Sequence, residues 1–212
     1  MDALARWMPL VLVTAVLLLA AGNARRVRAR LGHSPVTVFR SRSPAERARV
    51  WFAIAGLAVL AASSVWPRIA TAPGLAAPRW LQALGLCALG AGPVLVLQGF
   101  GTLGTSWRIG VDEEHPTELV TRGVYRAVRH PIYAGLLWAF AGLVLLRPNL
   151  FYAAYAAGAA VLCTVQARRE EAFLLSRHGP AYAAYLARTG RFWPRPTLGK
   201  SRMRRKSGHH NI

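Results

Sequence analysis

The sequence predicts an all-α integral membrane protein, a bundle of about five transmembrane helices with a C-terminal amphipathic helix on the cytoplasmic side. Hydrophobic residues make up 54% of the 212 positions, too many for a disordered chain. They are gathered into uncharged blocks separated by basic segments, a distribution typical of membrane proteins. The blocks show no alternation with a period of two, which favours helices over barrel strands.

Five apolar blocks follow one another along the chain. They cover residues 8–22, 50–65, 80–100, 132–146 and 150–167. A membrane helix needs roughly 20 mostly apolar residues, and residues 80–100 reach that length alone. The other blocks reach it if flanking residues such as Arg6 and Trp66 extend the helices to the interface. Only three residues separate the last two blocks, so these are expected to form an antiparallel hairpin.

The net charge of +19 predicts topology rather than nucleic-acid binding, because nucleic-acid binders are rarely so apolar. Of the 27 Lys and Arg residues, 23 lie in residues 23–49, 101–130 and 168–212. With five spans these three segments share one side, which the positive-inside rule makes cytoplasmic. The N-terminus is then outside. A cleaved signal peptide is the competing interpretation of the start, but cleavage would leave the basic residues 25–30 on the translocated side.

The loop before the fourth block carries the first candidate site. Pro131 suits the first turn of a helix, where no backbone N–H is needed. Arg129 and His130 therefore lie beside the free N–H groups of a helix start, which attract anions. Tyr133 can offer a ring face or a hydroxyl, and Gly135 lets another group approach closely. The alternative interpretation is structural: Arg129 would be an interfacial anchor, His130 a helix cap and Tyr133 part of an aromatic belt.

Two adjacent carboxylates form the second candidate site. Glu170 and Glu171 lie where the fifth helix is expected to leave the membrane, and they are two of only eight acidic residues. Such a pair is usually a solvated ion-pair network. At this depth, however, acidic groups are costly without a partner, so a cationic or hydroxylated ligand is a plausible occupant.

Other motifs point to no chemistry. The glycines of residues 99–104 spell G-x-G-x-x-G, but no β-α-β pattern surrounds them, so this is not a dinucleotide-binding signature. The histidines and the cysteines show no metal-ligand spacing, and no metal is predicted.

Two ordered segments together resemble the isoprenylcysteine carboxyl methyltransferase family, integral membrane enzymes that use S-adenosylmethionine. The first segment matches at Leu119, Val120, Thr121, Gly123, Tyr125, Arg129, His130, Pro131, Tyr133 and Gly135. The second matches at Glu170, Glu171, His178, Gly179, Tyr182, Tyr185, Trp193 and Pro194. Related phospholipid methyltransferases share the glycines, here Gly99 and Gly101, and the Glu pair. The resemblance covers roughly the C-terminal half of the chain.

The resemblance implies S-adenosylmethionine-dependent methyl transfer to a lipophilic acceptor at the cytoplasmic membrane face. The acceptor would be an isoprenylcysteine-like carboxylate or another lipid, drawn from the membrane, and no nucleic acid is involved. Together with the residues above, it points to eight cofactor-binding positions, Gly101, Tyr125, Arg129, His130, Tyr133, Gly135, Glu170 and Glu171. A carboxylate or thiolate acceptor needs no strong general base, and no catalytic residue is assigned. The oligomeric state stays open.

The resemblance also divides the chain. Residues 1–79 hold the first helices and a basic loop, residues 80–196 the methyltransferase-like core, and residues 197–212 a basic tail expected to be disordered. In one respect the sequence departs from the family, whose eukaryotic prenylcysteine enzymes carry a Glu and an Arg on the helix that corresponds to residues 80–100 here. Here Gln82 and Gln98 are its only sizeable polar residues, so the acceptor stays open. The alternatives are an NADPH-dependent reductase of sterol-type lipids and a non-catalytic membrane protein.

Overall fold

A computed structural model describes residues 2–37, 44–70, 75–109 and 118–195, and within them the chain is helical. The predicted basic tail, residues 197–212, lies outside these ranges. Five α-helices follow in order: α1 (Asp2–Leu31), α2 (Pro44–Val65), α3 (Arg79–Leu103), α4 (Pro131–Leu146) and α5 (Leu150–Arg188). The all-α membrane fold predicted from the sequence is confirmed.

Four of these helices are long and apolar enough to cross a membrane, and α4 is the exception. It has 16 residues, which at 1.5 Å per residue is roughly 24 Å, less than the hydrocarbon core of a typical bilayer. Its ends are fixed by Pro131 at the first turn and by the three-residue hairpin that leads to α5. The five predicted blocks are thus four long helices and one short one.

Two helices run further than their apolar blocks. α1 continues past residue 22 into the basic segment and ends at Leu31. α5 continues beyond residue 167 to Arg188 but bends at Gly179, whose φ of 51° lies in the left-handed region that only glycine adopts at little cost. The segment after the bend buries Tyr182 and Tyr185 and exposes its alanines, as expected for the predicted amphipathic helix.

α3 and α4 pack with their backbones in direct contact. A Cβ atom added to Gly92 would lie 2.5 Å from the carbonyl oxygen of Gly135, and one added to Gly135 would lie 2.5 Å from that of Gly92. Two turns away, Gly85 and Gly142 repeat the arrangement at 2.8 and 2.7 Å. Small residues allow this approach, which is how membrane helices associate without a hydrophobic driving force. The pair forms the rigid centre against which the site is built.

The basic segments meet at one end of the bundle. The chain after α1 pairs with the chain after α3, because Ile109 donates to Pro35 O at 3.0 Å and Thr37 donates to Ile109 O at 3.0 Å. Val27, Phe100 and Trp107 bury their side chains beneath this junction. The opposite end is closed separately, by contacts such as the 3.0 Å hydrogen bond from Arg6 Nε to Ser64 O.

Candidate functional site

A cavity of about 460 Å³ opens among all five helices at the end where the basic segments meet. This volume lies within the range of small-molecule sites, roughly 300–1,000 Å³. One part of its wall is polar, with Tyr125, Tyr133 and Glu170 among its members. Another part is apolar and includes side chains of α1, α2 and α5, for example Val16 and Leu162. The cavity can therefore receive a polar and an apolar ligand group side by side.

The polar wall is positioned by the start of α4 and by the chain that follows α5. Arg129 N donates to Gly190 O at 2.8 Å, and His130 N donates to Arg191 O at 3.0 Å. Phe192 meets the His130 ring edge-on, with centroids 6.2 Å apart. These contacts hold the N-terminus of α4 against the segment that follows α5. α4 begins at Pro131, as the sequence predicts.

Glu171 is the centre of a buried ion-pair cluster. Its Oε1 accepts from Arg129 Nε at 3.0 Å and from Arg191 Nε at 3.0 Å, while its Oε2 accepts from Arg191 Nη2 at 2.6 Å. His130 Nε2 lies 3.3 Å from Oε1. The carboxylate in turn holds the pKa of Arg191 above its usual range. With two guanidinium partners and 10% side-chain exposure, Glu171 has its charge satisfied by the protein itself.

Glu170 has a different environment. It lines the cavity and its side chain is 29% exposed. Its Oε1 accepts from the Tyr133 hydroxyl at 2.5 Å and from Gln166 Nε2 at 3.2 Å, and its Oε2 lies 3.5 Å from His130 Nδ1. No described arginine forms an ion pair with it. The two adjacent carboxylates are therefore unequal: Glu171 is neutralised inside the protein, and Glu170 offers negative charge to the cavity.

His130 bridges the two carboxylates and stacks on Tyr133, with ring centroids 5.6 Å apart. Burial alone would lower its pKa, but the hydrogen bonds to Glu170 and Glu171 outweigh burial and raise the pKa above its ordinary value of about 6.5. An imidazolium donates from both nitrogens, which matches a carboxylate at each.

We expect the fold to lose stability as the pH rises above about 6.5 through the raised pKa of His130. A group whose pKa is higher in the folded state stabilises fully below its unfolded pKa, and this contribution disappears as the folded group deprotonates. Thermal unfolding in detergent, measured from about pH 6.5 upward, reports this loss. In a chain of this size the unfolding midpoint should fall by roughly 2–4 °C for each kcal/mol of lost stability. His130→Gln should flatten the dependence. The same slope in wild type and variant would exclude His130 as its source.

The structure brings together six of the eight predicted residues and separates two from the cavity. Tyr125, Arg129, His130, Tyr133 and Glu170 line it, and Glu171 lies behind them. Burial first, and then Glu170, raises the pKa of the Tyr125 phenol, which therefore stays protonated. The side chain of Arg129, besides Glu171, donates to the carbonyls of Leu186 and Thr189.

The two glycines do not line the cavity. Gly135 faces α3, so the close approach predicted there is made by the backbone at Gly92. Gly101 is exposed, and nothing lies within 4 Å of where its Cβ would be.

Several residues of the site were not predicted. Gln166 lies one turn before Glu170 on the same face of α5, and this i to i+4 spacing was the signal available in the sequence. Tyr182 was identified only as a motif position, yet it is buried against the cavity. Arg191 and Arg49 had no signal beyond belonging to basic segments. Within the described ranges, no group of three or more His, Cys, Asp or Glu residues could hold a metal ion.

Comparison with known proteins shows a family similarity over the middle of the chain. Residues 83–176 match the isoprenylcysteine carboxyl methyltransferase (ICMT) family. The resemblance to this family is confirmed. A protein-S-isoprenylcysteine O-methyltransferase of Tribolium castaneum is 33% identical over 56% of this chain and 43% of its own length. Protein-S-isoprenylcysteine O-methyltransferase B of Arabidopsis thaliana is 31% identical over 55% of this chain and 60% of its own.

The family match extends to three dimensions. A solved structure of the eukaryotic intramembrane Ras methyltransferase ICMT superposes with a TM-score of 0.51 at 27% identity, covering 73% of this chain and 53% of that one. The nickel-cobalt-cadmium resistance protein NccN of Alcaligenes xylosoxydans xylosoxydans is 36% identical over 47% of each chain. The chain spans about half the length of the relatives it matches.

Proposed function

We propose that this protein transfers a methyl group from S-adenosylmethionine to a lipophilic, isoprenylcysteine-like acceptor at the cytoplasmic face of a membrane. The observation that carries the proposal is the cavity, which Glu170, Tyr133 and His130 line together with apolar side chains of α1, α2 and α5. Methyl transfer requires the cofactor and the lipid acceptor to be in contact, and a cavity with polar and apolar parts side by side can bind both. The match of residues 83–176 to the ICMT family and the named activities of the relatives support the same reaction.

The polar wall fits S-adenosylmethionine. This cofactor carries an ammonium, a sulfonium and a ribose diol, for which the open carboxylate of Glu170 is a matched partner. Tyr125 and Tyr182 offer ring faces for the adenine. Arg129, predicted as the partner of the cofactor carboxylate, also lines the cavity, but it would have to share its guanidinium with Glu171. When bound, S-adenosylmethionine supplies an electrophilic methyl group that an acceptor nucleophile displaces in line.

The protein's own contribution is positioning. Tyr133 and Gln166 hold the Glu170 carboxylate in one orientation, and the Glu171 cluster fixes the α4 N-terminus that carries Tyr133. The apolar wall keeps water from the reacting groups and gives the acceptor's lipid chain a place to bind. Residues 80–196 would supply the cofactor half of the site, and α1 and α2 would complete it on the acceptor side.

The distribution of positive charge supports a cytoplasmic location of the site. Residues 23–49, 101–130 and 168–212 hold 23 of the 27 basic residues, and the cavity lies at the end of the bundle where the described parts of these segments meet. The positive-inside rule therefore supports a cytoplasmic site and an external N-terminus.

A binding and transfer experiment tests the proposal. Purified protein in lipid nanodiscs should bind S-adenosylmethionine saturably by calorimetry and transfer its labelled methyl group to N-acetyl-S-farnesylcysteine. S-adenosylmethionine should also raise the thermal unfolding midpoint, whereas NADPH, the cofactor of the alternative reductase activity, should not, because a ligand stabilises only the state that binds it. Stabilisation by NADPH, or by neither cofactor, would overturn the proposal.

A further inference from the structure

One arginine of the cavity has an unsatisfied buried nitrogen. Arg49 lines the cavity from α2, and its Nε is buried without a hydrogen-bond acceptor in the described part of the chain. Buried polar groups are nearly always hydrogen-bonded, so this exception on a cavity-lining side chain indicates a guanidinium that the described protein does not fully engage. A guanidinium has only donors, and its preferred partner is an anion.

The other two arginines that line the cavity are engaged by the protein. Arg108 Nη1 donates to Thr105 O at 2.6 Å and to Trp107 O at 2.9 Å. Arg129 donates to Glu171 and to two carbonyls. Arg49 is thus the lining arginine with a buried donor to offer.

The position of Arg49 suits an acceptor rather than the cofactor. It belongs to a helical face of α2 on which Val50 and Ala53 also line the cavity, so the guanidinium is continuous with apolar wall. Two charged groups act on it electrostatically: Arg169 of α5 repels it, and Glu46 of α2 attracts it. Arg49 therefore lies on the apolar side of the cavity, where α2 lines it.

The surrounding charges favour a singly charged anion. Glu46 lies one turn before Arg49 on the same face, and Glu118 lines the cavity as well. These carboxylates would repel a phosphate or diphosphate group more strongly than a singly charged carboxylate, which can pair with one planar guanidinium in bidentate geometry. α3 contributes only apolar side chains here, namely Val96, Phe100 and Leu103.

We propose that Arg49 binds the carboxylate of an amphiphilic methyl acceptor whose lipid chain lies along the α1, α2 and α5 wall. This inference rests on the proposed function and assigns to α2, outside residues 83–176, the recognition of the acceptor. In the transfer, a carboxylate oxygen forms a bond to the methyl carbon as the carbon–sulfur bond breaks, and its electron pair stays on sulfur. No proton moves. The negative charge of the carboxylate and the positive charge of the sulfonium both disappear. The neutral methyl ester is therefore no longer attracted to Arg49 and can leave.

The experiment measures acceptor binding without the cofactor, which separates it from the proposed function. Calorimetry on the full chain in neutral-lipid nanodiscs would compare N-acetyl-S-farnesylcysteine with its carboxamide. Wild type should bind the carboxylate about 10- to 100-fold more tightly, as expected for a charge-assisted hydrogen bond. In Arg49→Gln this preference should vanish while the Kd for S-adenosylmethionine stays unchanged, and Arg49→Lys should keep part of it.

Arg47→Gln is the matched control, because Arg47 lies on the same helix, is exposed and does not line the cavity. It should keep the full preference for the carboxylate. An equal preference in wild type and Arg49→Gln would overturn the inference even if methyl transfer is found. If Arg49→Gln does not fold, wild type alone still decides, since equal binding of carboxylate and carboxamide would also overturn it. Failure of the proposed function would appear separately, as absent S-adenosylmethionine binding.

Discussion

Glu171→Ala is expected to destabilise the fold by about 3–5 kcal/mol, the usual cost of removing one partner from a buried ion pair. The change leaves Arg129, with 9% of its side chain exposed, without its carboxylate, and removes both bonds that hold Arg191. The segment after α5 would keep its backbone hydrogen bonds to Arg129 and His130 but lose its side-chain anchor. Chemical unfolding in mixed micelles, followed by tryptophan fluorescence, measures the loss.

Glu170→Gln is the matched comparison, one residue away on the same helix. It keeps an oxygen to accept from Tyr133, so stability should change little, while binding of S-adenosylmethionine weakens about 10- to 100-fold as a charge-assisted contact is lost. Calorimetric measurement of S-adenosylmethionine binding to both variants separates the cofactor-binding role of Glu170 from the structural role of Glu171. If Glu171→Ala unfolds like wild type and Glu170→Gln binds the cofactor normally, the assignment of the two carboxylates is wrong.

The fold could be predicted because long apolar segments of the sequence are sufficient to indicate membrane helices. Apolar blocks, the three-residue hairpin and Pro131 at a helix start are local signals, and each has its counterpart in the structure. The ends of the helices were harder to predict, since α1 and α5 both continue beyond their apolar blocks into basic sequence. There the intrahelical hydrogen bonds continue because arginine is a good helix former.

The candidate site was predictable in its members but not in their arrangement. Adjacent residues on a helix point about 100° apart, so Glu170 and Glu171 had to differ, but which of them faces the cavity depends on how α5 packs. Arg191 and Arg49 are defined by contacts across long sequence separations, to Glu171 and to the cavity, which no local pattern encodes. Gly135 was assigned from its neighbours in the motif, whereas its environment is set by α3.

Gly92→Leu is expected to separate α3 from α4 and to leave little folded protein. Even the Cβ of the new residue would lie 2.5 Å from the carbonyl oxygen of Gly135, and backbone on both sides cannot yield as a flexible side chain would. Overpacking costs typically about 1–3 kcal/mol and occasionally more, and here a whole helix pair must move. Size-exclusion recovery in detergent and the thermal unfolding midpoint report the loss.

Gly90→Leu on the same helix is the control, because nothing lies within 4 Å of its Cβ position. It should fold like wild type or better, since leucine is a better helix former than glycine. Gly135→Ala adds a discriminating measurement, because its Cβ meets the Gly92 carbonyl oxygen at 2.5 Å rather than the cavity. It should lower the unfolding midpoint, and the fraction that folds should bind S-adenosylmethionine with the wild-type Kd. A stable Gly135→Ala variant with weakened cofactor binding would instead place this glycine in the cofactor site, as the motif alone implied.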